Sequence, residues 1–298
     1  MENFKNYLRK KKVLIVCNDT GGANFIKSFL KYEKIRCKYY LTGSAVKIFK
    51  KKNFYKSLIK SVKKSEIIIT GTDWPLKISK KLTNLQLRAL NYSNIYKKKS
   101  ITFIDHWWSY KSRFIKNNKL ILPSEIWSFD KESTLKAKKE FKNLTKIRAV
   151  NNYYFLDFKK NKKKKLKKKK FHIIYVSSNF NGTNKNSEND LDKRLLLNFI
   201  KKKEKINVIK NYSIDILTHP SESFKKYMYF SNKKNYKIRI INRGNLKIQN
   251  ILNKYAYIVG SESMSLVIGK ILGLTVFNNV KGLKIKRLIP KKYIDYYI

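Results

Sequence analysis

Short, nearly continuous apolar runs recur along the chain, separated by stretches of helix length. In the first half they are "VLIVC" (13–17), "CKYYLT" (37–42), "EIIIT" (66–70), "ITFID" (101–105), "IWSF" (126–129) and "IRAV" (147–150). In the second half they are "FHIIYVSS" (171–178), "SIDILTH" (213–219), "KIRII" (237–241), "YAYIVG" (255–260) and "LTVF" (274–277). A strand that is apolar at successive positions is buried on both faces, so this alternation with helices predicts parallel sheets covered on both sides. The spacing predicts helices over 75–91, with Pro75 in the first turn, and over 262–272, with Leu266, Ile268 and Leu272 on the packed side.

One run breaks the pattern. "KKNKKKKLKKKKF" (159–171) is a block of like charges that repels itself and buries nothing, so it reads as a linker or exposed loop. "NFNGTNKNSEND" (179–190) reads as a mobile loop. The fold class expected is α/β, with two Rossmann-like parallel-sheet domains facing a cleft. Their boundaries are 1–155, a Lys-rich linker at 156–170, and 171–298. A chain of 298 residues suits two cores of about 150 each. With 42% hydrophobic and 14% aromatic residues, both can be packed, which excludes disorder over most of the length.

The net charge of +51 points first to nucleic acid or an anionic membrane. The distribution argues against a nucleic-acid protein. Lysines dominate and are spread along the whole chain, whereas a dedicated phosphate-binding face would be local and Arg-rich. No helix-turn-helix, RRM or zinc pattern is present. General attraction to anionic lipid, glycan or nucleotide remains. Cys17 and Cys37 lie in strand-like surroundings without metal-site spacing and read as core thiols of a cytosolic protein. The run "VLIVC" is too short for a signal peptide, and no apolar run nears the roughly 20 residues of a membrane span. The expectation is a cytoplasmic protein, at most peripheral on the inner face of the membrane.

Candidate chemistry collects just past the strand ends, where ligands of such sheets bind. These stretches are "NDTGGANF" (18–25), "GTDWP" (71–75), "DHWWSYKSRF" (105–114), "SSNFNG" (177–182), "THPSES" (218–223), "NRGN" (242–245) and "GSES" (260–263). Gly21-Gly22 opens a helix. It permits close approach of a phosphate or sugar, or makes a tight strand-to-helix turn. There is no GxGxxG or Walker pattern, which argues against an ordinary NAD site or P-loop. Of the three histidines, His106 and His219 stand immediately beyond apolar strands, and His172 lies inside one. Pro220 holds His219 extended, from where an imidazole can donate to a phosphate. Gly260-Ser261-Glu262-Ser263 opens the 262–272 helix. Its unpaired N–H groups can seat a phosphate; equally, Ser261 or Ser263 can simply cap the helix, with Glu262 in its first turn.

With these motifs in this order, residues 171–278 resemble the nucleotide-binding domain of GT-B glycosyltransferases. The likeness is to bacterial sialyl-, Kdo- and polyol-phosphate transferases that carry an HP motif and a later Ser motif. The resemblance implies that His219 and Pro220, with Gly260, Ser261, Glu262 and Ser263, hold the phosphate of a nucleotide-sugar donor. It departs where many relatives carry an acid in the final helix, since Ile268-Gly269 stands there.

The first half would then bind the acceptor and supply the base. Asp105 and His106 are candidates for taking the acceptor proton, with Asp19 beside the glycines as another. Trp107 and Trp108 are candidate sugar platforms or core residues, and Asp105 a base or a helix cap. Gly21, Gly22, Thr72, Asp73 and Arg113 complete the acceptor region. No cluster of Asp, Glu or His has metal-ligand spacing and no DxD-like pair appears in a cleft loop, so the expected transfer is metal-independent and uses no cofactor besides the nucleotide-sugar substrate. The acceptor expected is a saccharide or lipid-linked glycan of the bacterial surface, with no specific nucleic-acid partner. Alternatives are a nucleotide-sugar 2-epimerase of the same fold and a non-catalytic basic protein binding nucleic acid or glycan.

Overall fold

The computed structural model describes residues 2–73, 84–160, 172–178, 191–219, 222–231, 237–241, 246–281 and 287–298. Trp74, Pro75, Pro220 and Arg243, most of the Lys-rich run and the 179–190 stretch lie outside the described residues. The chain divides into two compact units, Met1–Asp157 and Phe158–Ile298.

In the first unit the order is α1 (Glu2–Arg9), β1 (Val13–Cys17), α2 (Thr20–Glu33), β2 (Cys37–Leu41), α3 (Gly43–Phe49), α4 (Leu58–Lys63), β3 (Ile67–Thr70), α5 (Leu85–Ile95) and β4 (Lys99–Phe103). A small antiparallel hairpin follows, β5 (Ile115–Lys116) and β6 (Lys119–Leu120). Then come β7 (Glu125–Ser128), α6 (Lys131–Phe141), β8 (Lys146–Ala149) and α7 (Tyr153–Lys160). Six strands pair in parallel in the order β2-β1-β3-β4-β7-β8. Val13, Ile15, Ile67, Ile69 and Ile101 pack with α2 through Ala23, Ile26 and Phe29. Leu14, Val16 and Ile68 gather on the alternate positions with Leu58 and Val62 of α4 and Ala89 of α5. Covering both faces is what makes every residue of β1 and β3 apolar or buried.

The second unit runs β9 (His172–Val176), α8 (Leu191–Lys203), β10 (Ser213–Leu217), α9 (Met228–Ser231), β11 (Ile238–Ile241), α10 (Ile248–Leu252), β12 (Tyr257–Gly260), α11 (Met264–Ile271), β13 (Thr275–Asn278) and β14 (Tyr296–Tyr297). Its sheet is again parallel, ordered β11-β10-β9-β12-β13-β14. Renumbered within the unit this is 3-2-1-4-5-6, the Rossmann order, and the first unit reads 2-1-3-4-5-6. In each sheet the order reverses beside the first strand, so the switch point lies between β1 and β3 in one and between β9 and β12 in the other.

The expected fold class is therefore observed: α/β, with two six-stranded parallel sheets. Two expectations change. Of the helix expected over 75–91, residues 75–83 lie outside the described residues; α5 begins at Leu85, where the Asn84 side chain accepts the Leu87 N–H at 2.9 Å, and it continues past 91 to Ile95. Residues 156–160 belong to α7 rather than to a linker. Asp157 ties that helix to α2, accepting from Ser28 at 3.2 Å, Lys31 at 3.0 Å and Tyr32 at 3.0 Å.

Candidate active site

In the first unit, loops after β1, β3 and β4 bring Asp19, Thr72, Asp73 and Asp105 together at the carboxyl edge of the sheet. Asp19 is the N-cap of α2 and accepts the Gly22 N–H at 3.2 Å. Asp105 accepts the Thr72 hydroxyl at 2.8 Å and lies 3.9 Å from the buried guanidinium of Arg113. Arg113 also donates to Thr72 Oγ1 at 3.2 Å and to the Asp73 carbonyl at 3.4 Å. Asp73 is bracketed by Gln86: its N–H donates to Gln86 Oε1 at 2.8 Å, and its carboxylate accepts the Gln86 N–H at 3.1 Å.

The glycines serve this cluster. A Cβ on Gly21 would lie 1.8 Å from Asp105 Oδ2 and 3.4 Å from Asp19 Oδ2, so both carboxyls crowd the first turn of α2. A Cβ on Gly22 would lie 2.7 Å from the Gly71 Cα, so α2 and the end of β3 meet backbone to backbone. Of the two readings of the glycine pair, the tight strand-to-helix turn is visible at Gly22, and the Asp105 carboxylate lies against Gly21. An anion at that helix N-terminus is favourable, and here the protein supplies its own.

Burial, and then the charges of Asp105 and Asp73, push the Asp19 carboxyl well above the ordinary carboxylate range. Burial also raises Asp73, against the backbone N–H groups of Gln86 and Leu85 and the charge of Arg113. Burial lowers His106, and the nearby Asp105 charge only partly offsets it. The cluster therefore holds two carboxyls biased toward their protonated forms beside an imidazole biased to neutral. Among the described residues, no group of three His, Cys, Asp or Glu side chains is placed to hold a metal ion.

The two tryptophans part company. Trp107 is core: it is buried, its indole donates to Asp130 Oδ2 at 3.0 Å, and its ring meets Phe129 edge-on. Trp108 is half-buried beside the cluster, with the Arg113 guanidinium 5.5 Å from its ring centre. Asp105 is not a helix cap; its carboxylate faces Thr72 and Arg113.

In the second unit the corresponding edge is built from hydroxyls. His219 stands just past β10 and its N–H donates to Ser177 Oγ at 2.8 Å and Glu222 Oε2 at 3.1 Å. Ser261 is buried, sharing a hydrogen bond with Ser178 at 2.7 Å, and its carbonyl accepts the Asn278 amide at 2.6 Å. Gly260 ends β12. Ser263 caps α11, accepting the Ser265 N–H at 3.3 Å. The Glu262 carboxylate faces the chain's last segment, where Oε2 accepts the Leu288 and Ile289 N–H groups, both at 2.9 Å. Its N–H donates to Ser178 at 3.3 Å. Of the turn's two readings, capping is visible in Ser263, while Ser261 and Glu262 hold neighbouring loops together.

Sequence reasoning did not single out Ser178, Asn278, Gly71 or Glu222. Ser178 lies in the "SSNFNG" strand-end stretch, and Glu222 sits two residues after the His-Pro pair. Gly71 and Asn278 had no signal beyond ending or following a strand.

No protein-family model matches the chain, and no curated protein matches it by sequence. Solved structures do match. UDP-GlcNAc 2-epimerase from Methanocaldococcus jannaschii, in complex with UDP-GlcNAc and UDP, superposes with a TM-score of 0.62 at 13% identity, covering 96% of this chain and 88% of that one. The Neisseria meningitidis UDP-GlcNAc 2-epimerase bound to UDP-GlcNAc gives 0.59 at 14% identity, covering 90% and 82%. MnaA of S. aureus, in complex with UDP, gives 0.59 at 12% identity, covering 90% and 79%. The fold is of the GT-B type. No described helix is long and apolar enough to cross a membrane.

Proposed function

We propose that the protein acts on a nucleotide-activated sugar, with the nucleotide phosphate held in the second unit and acid–base chemistry supplied by the first. The observation that carries this reading is the gathering of Asp19, Asp73 and Asp105 around Arg113 and Thr72 at the switch point of a GT-B-type sheet. The solved structures of this fold that bind UDP or UDP-GlcNAc support the substrate class. In the second unit, His219, Pro220 and the Gly260–Ser263 turn are the proposed donor contacts.

The reaction we put first is metal-independent glycosyl transfer to a saccharide or lipid-linked glycan. Asp105 takes the proton of the acceptor hydroxyl as that oxygen attacks the anomeric carbon and the nucleotide leaves with the bonding electrons. Arg113 and the α2 N-terminus steady the carboxylate. Trp108, half-buried beside it, offers a ring face to a sugar.

A specific observation favours a second reading, hydrolytic 2-epimerisation. That reaction needs an acid and a base in one place, and Asp19, biased toward its protonated form, crowds the same helix turn as Asp105. Product analysis separates the two. Incubated with UDP-, CMP- or CDP-sugars, a transferase extends a glycan acceptor and turns over little without one. An epimerase releases the free 2-epimer whether or not acceptor is present. Failure to consume any nucleotide sugar with either partner would reject the reading as a whole.

A further inference from the structure

Outside the carboxyl cluster, a buried polar network lies behind His219. Glu222 is buried, with a side chain 2% exposed. Its Oε2 accepts the His219 N–H at 3.1 Å and a short hydrogen bond from the Ser177 hydroxyl. The Ser177 oxygen itself accepts the same His219 N–H at 2.8 Å. The backbone closes this turn too, the Glu222 N–H donating to the His219 carbonyl at 2.9 Å. On the far side Glu222 Oε1 accepts from Lys226 Nζ at 2.6 Å, and that lysine also reaches the buried Asp192 carboxylate at 2.9 Å.

We propose that Glu222 is a positioning residue, whose buried carboxylate fixes the main chain of His219 at the end of β10 and so sets the affinity for the nucleotide phosphate. The proposal rests on the reading of His219 as a donor contact. Three features lead to it. The carboxylate is the meeting point of both neighbouring strand ends, Ser177 after β9 and His219 after β10, so it locks two loops of the switch-point edge to each other. It reaches His219 through the backbone N–H. And Lys226 holds the carboxylate in place from behind, shared with Asp192 of α8, so the charge is neither solvated nor free to turn. A neutral amide of the same shape cannot serve as well. Gln has one acceptor oxygen for three donors, and its NH₂ group faces either the lysine or the two loop donors.

Asp192 provides the control. It accepts from the same lysine, so Asp192→Asn disturbs the buried ion network without removing the groups of the Glu222 hydrogen bonds to His219 and Ser177. The test is equilibrium binding of UDP, CMP and CDP at 0.3 M salt by calorimetry, with melting temperatures of the unliganded variants measured alongside. The expected result is that Glu222→Gln weakens the preferred nucleotide at least tenfold, approaching His219→Ala, while Asp192→Asn lowers the melting temperature but changes affinity less than twofold. Equal loss of affinity in Glu222→Gln and Asp192→Asn would reduce Glu222 to a general structural group and overturn the proposal. Wild-type affinity in Glu222→Gln, with loss in His219→Ala, would overturn it and leave the donor site standing. Absence of nucleotide binding by the parent protein would reject the donor site and the proposal with it.

Discussion

Asp19 shows how a single side chain can oppose folding and still belong to the site. A carboxyl whose folded value is raised stabilises the fold only while protonated. That contribution is full below the ordinary carboxylate range and is lost as pH rises through the raised value. Asp19 is raised by burial and by the charges of Asp105 and Asp73, so the folded state loses stability from it toward neutral and alkaline pH. Asn at this position keeps an N-cap oxygen for the Gly22 N–H and removes the charge. Asp19→Asn should therefore melt above the parent at pH 8, with the gap closing toward pH 4. A gain of about 1 kcal/mol would appear as roughly 2–4 °C. A variant that melts lower at pH 8 would show that the ionised carboxylate is a stabilising partner. Asp105→Asn is expected to cut turnover by roughly 10²–10⁴ with nucleotide binding unchanged, measured by steady-state kinetics and calorimetry on one preparation. Full turnover would move the base to another carboxyl of the cluster.

At the scale of elements, the contact of α2 with the end of β3 decides whether the cluster exists. Gly22→Ala sets a Cβ against the Gly71 backbone and should cost about 1–3 kcal/mol by overpacking, read from chemical denaturation. Gly21→Ala meets a side chain instead, the Asp105 carboxylate, so it should lose turnover more than stability. Glu262 plays a comparable part in the second unit. Glu262→Ala leaves the Leu288 and Ile289 N–H groups without their acceptor, at about 1–3 kcal/mol, and amide exchange should quicken at those two positions first. Unchanged exchange there would mean that the last segment is held by β14 alone. The elements themselves were legible because strands buried on both faces must be apolar at every position, as "VLIVC" and "EIIIT" are. The short β5–β6 hairpin and β14 were not. Each has two residues per strand, too few for a hydrophobic period, and they form because neighbouring segments offer partners. The candidate site was legible only as a set of strand ends. What each residue does there was less so: Trp107 and Trp108 are adjacent and chemically alike, and only packing against Phe129 makes one of them core. Glu222 was hidden for a related reason: Lys226 is only four residues on, but Ser177, which donates to Glu222, and Asp192, which shares Lys226 with it, are brought there by the fold and not by the sequence.

Across the whole molecule, two parallel sheets with the same switch-point logic carry different chemistry at their carboxyl edges. One presents carboxyls, the other hydroxyls and a histidine. The division after Asp157 places the Lys-rich run immediately beyond the first unit. Brief trypsin treatment should cut within 161–171 first and leave two folded fragments, whereas early cleavage scattered over the other lysines would argue against separable units. The charge of +51 complicates every binding experiment, because any polyanion will be attracted. The decisive measurement is therefore a thermal-shift series over UDP, CMP, CDP, DNA and heparin at low and high salt, on the parent protein and on His219→Ala. A nucleotide at a hundredfold excess over its dissociation constant should add about 2.7 kcal/mol to the native state. The account predicts a rise that depends on the base, survives high salt and is lost in His219→Ala. A rise given only by polyanions, fading with salt and indifferent to His219, would contradict it.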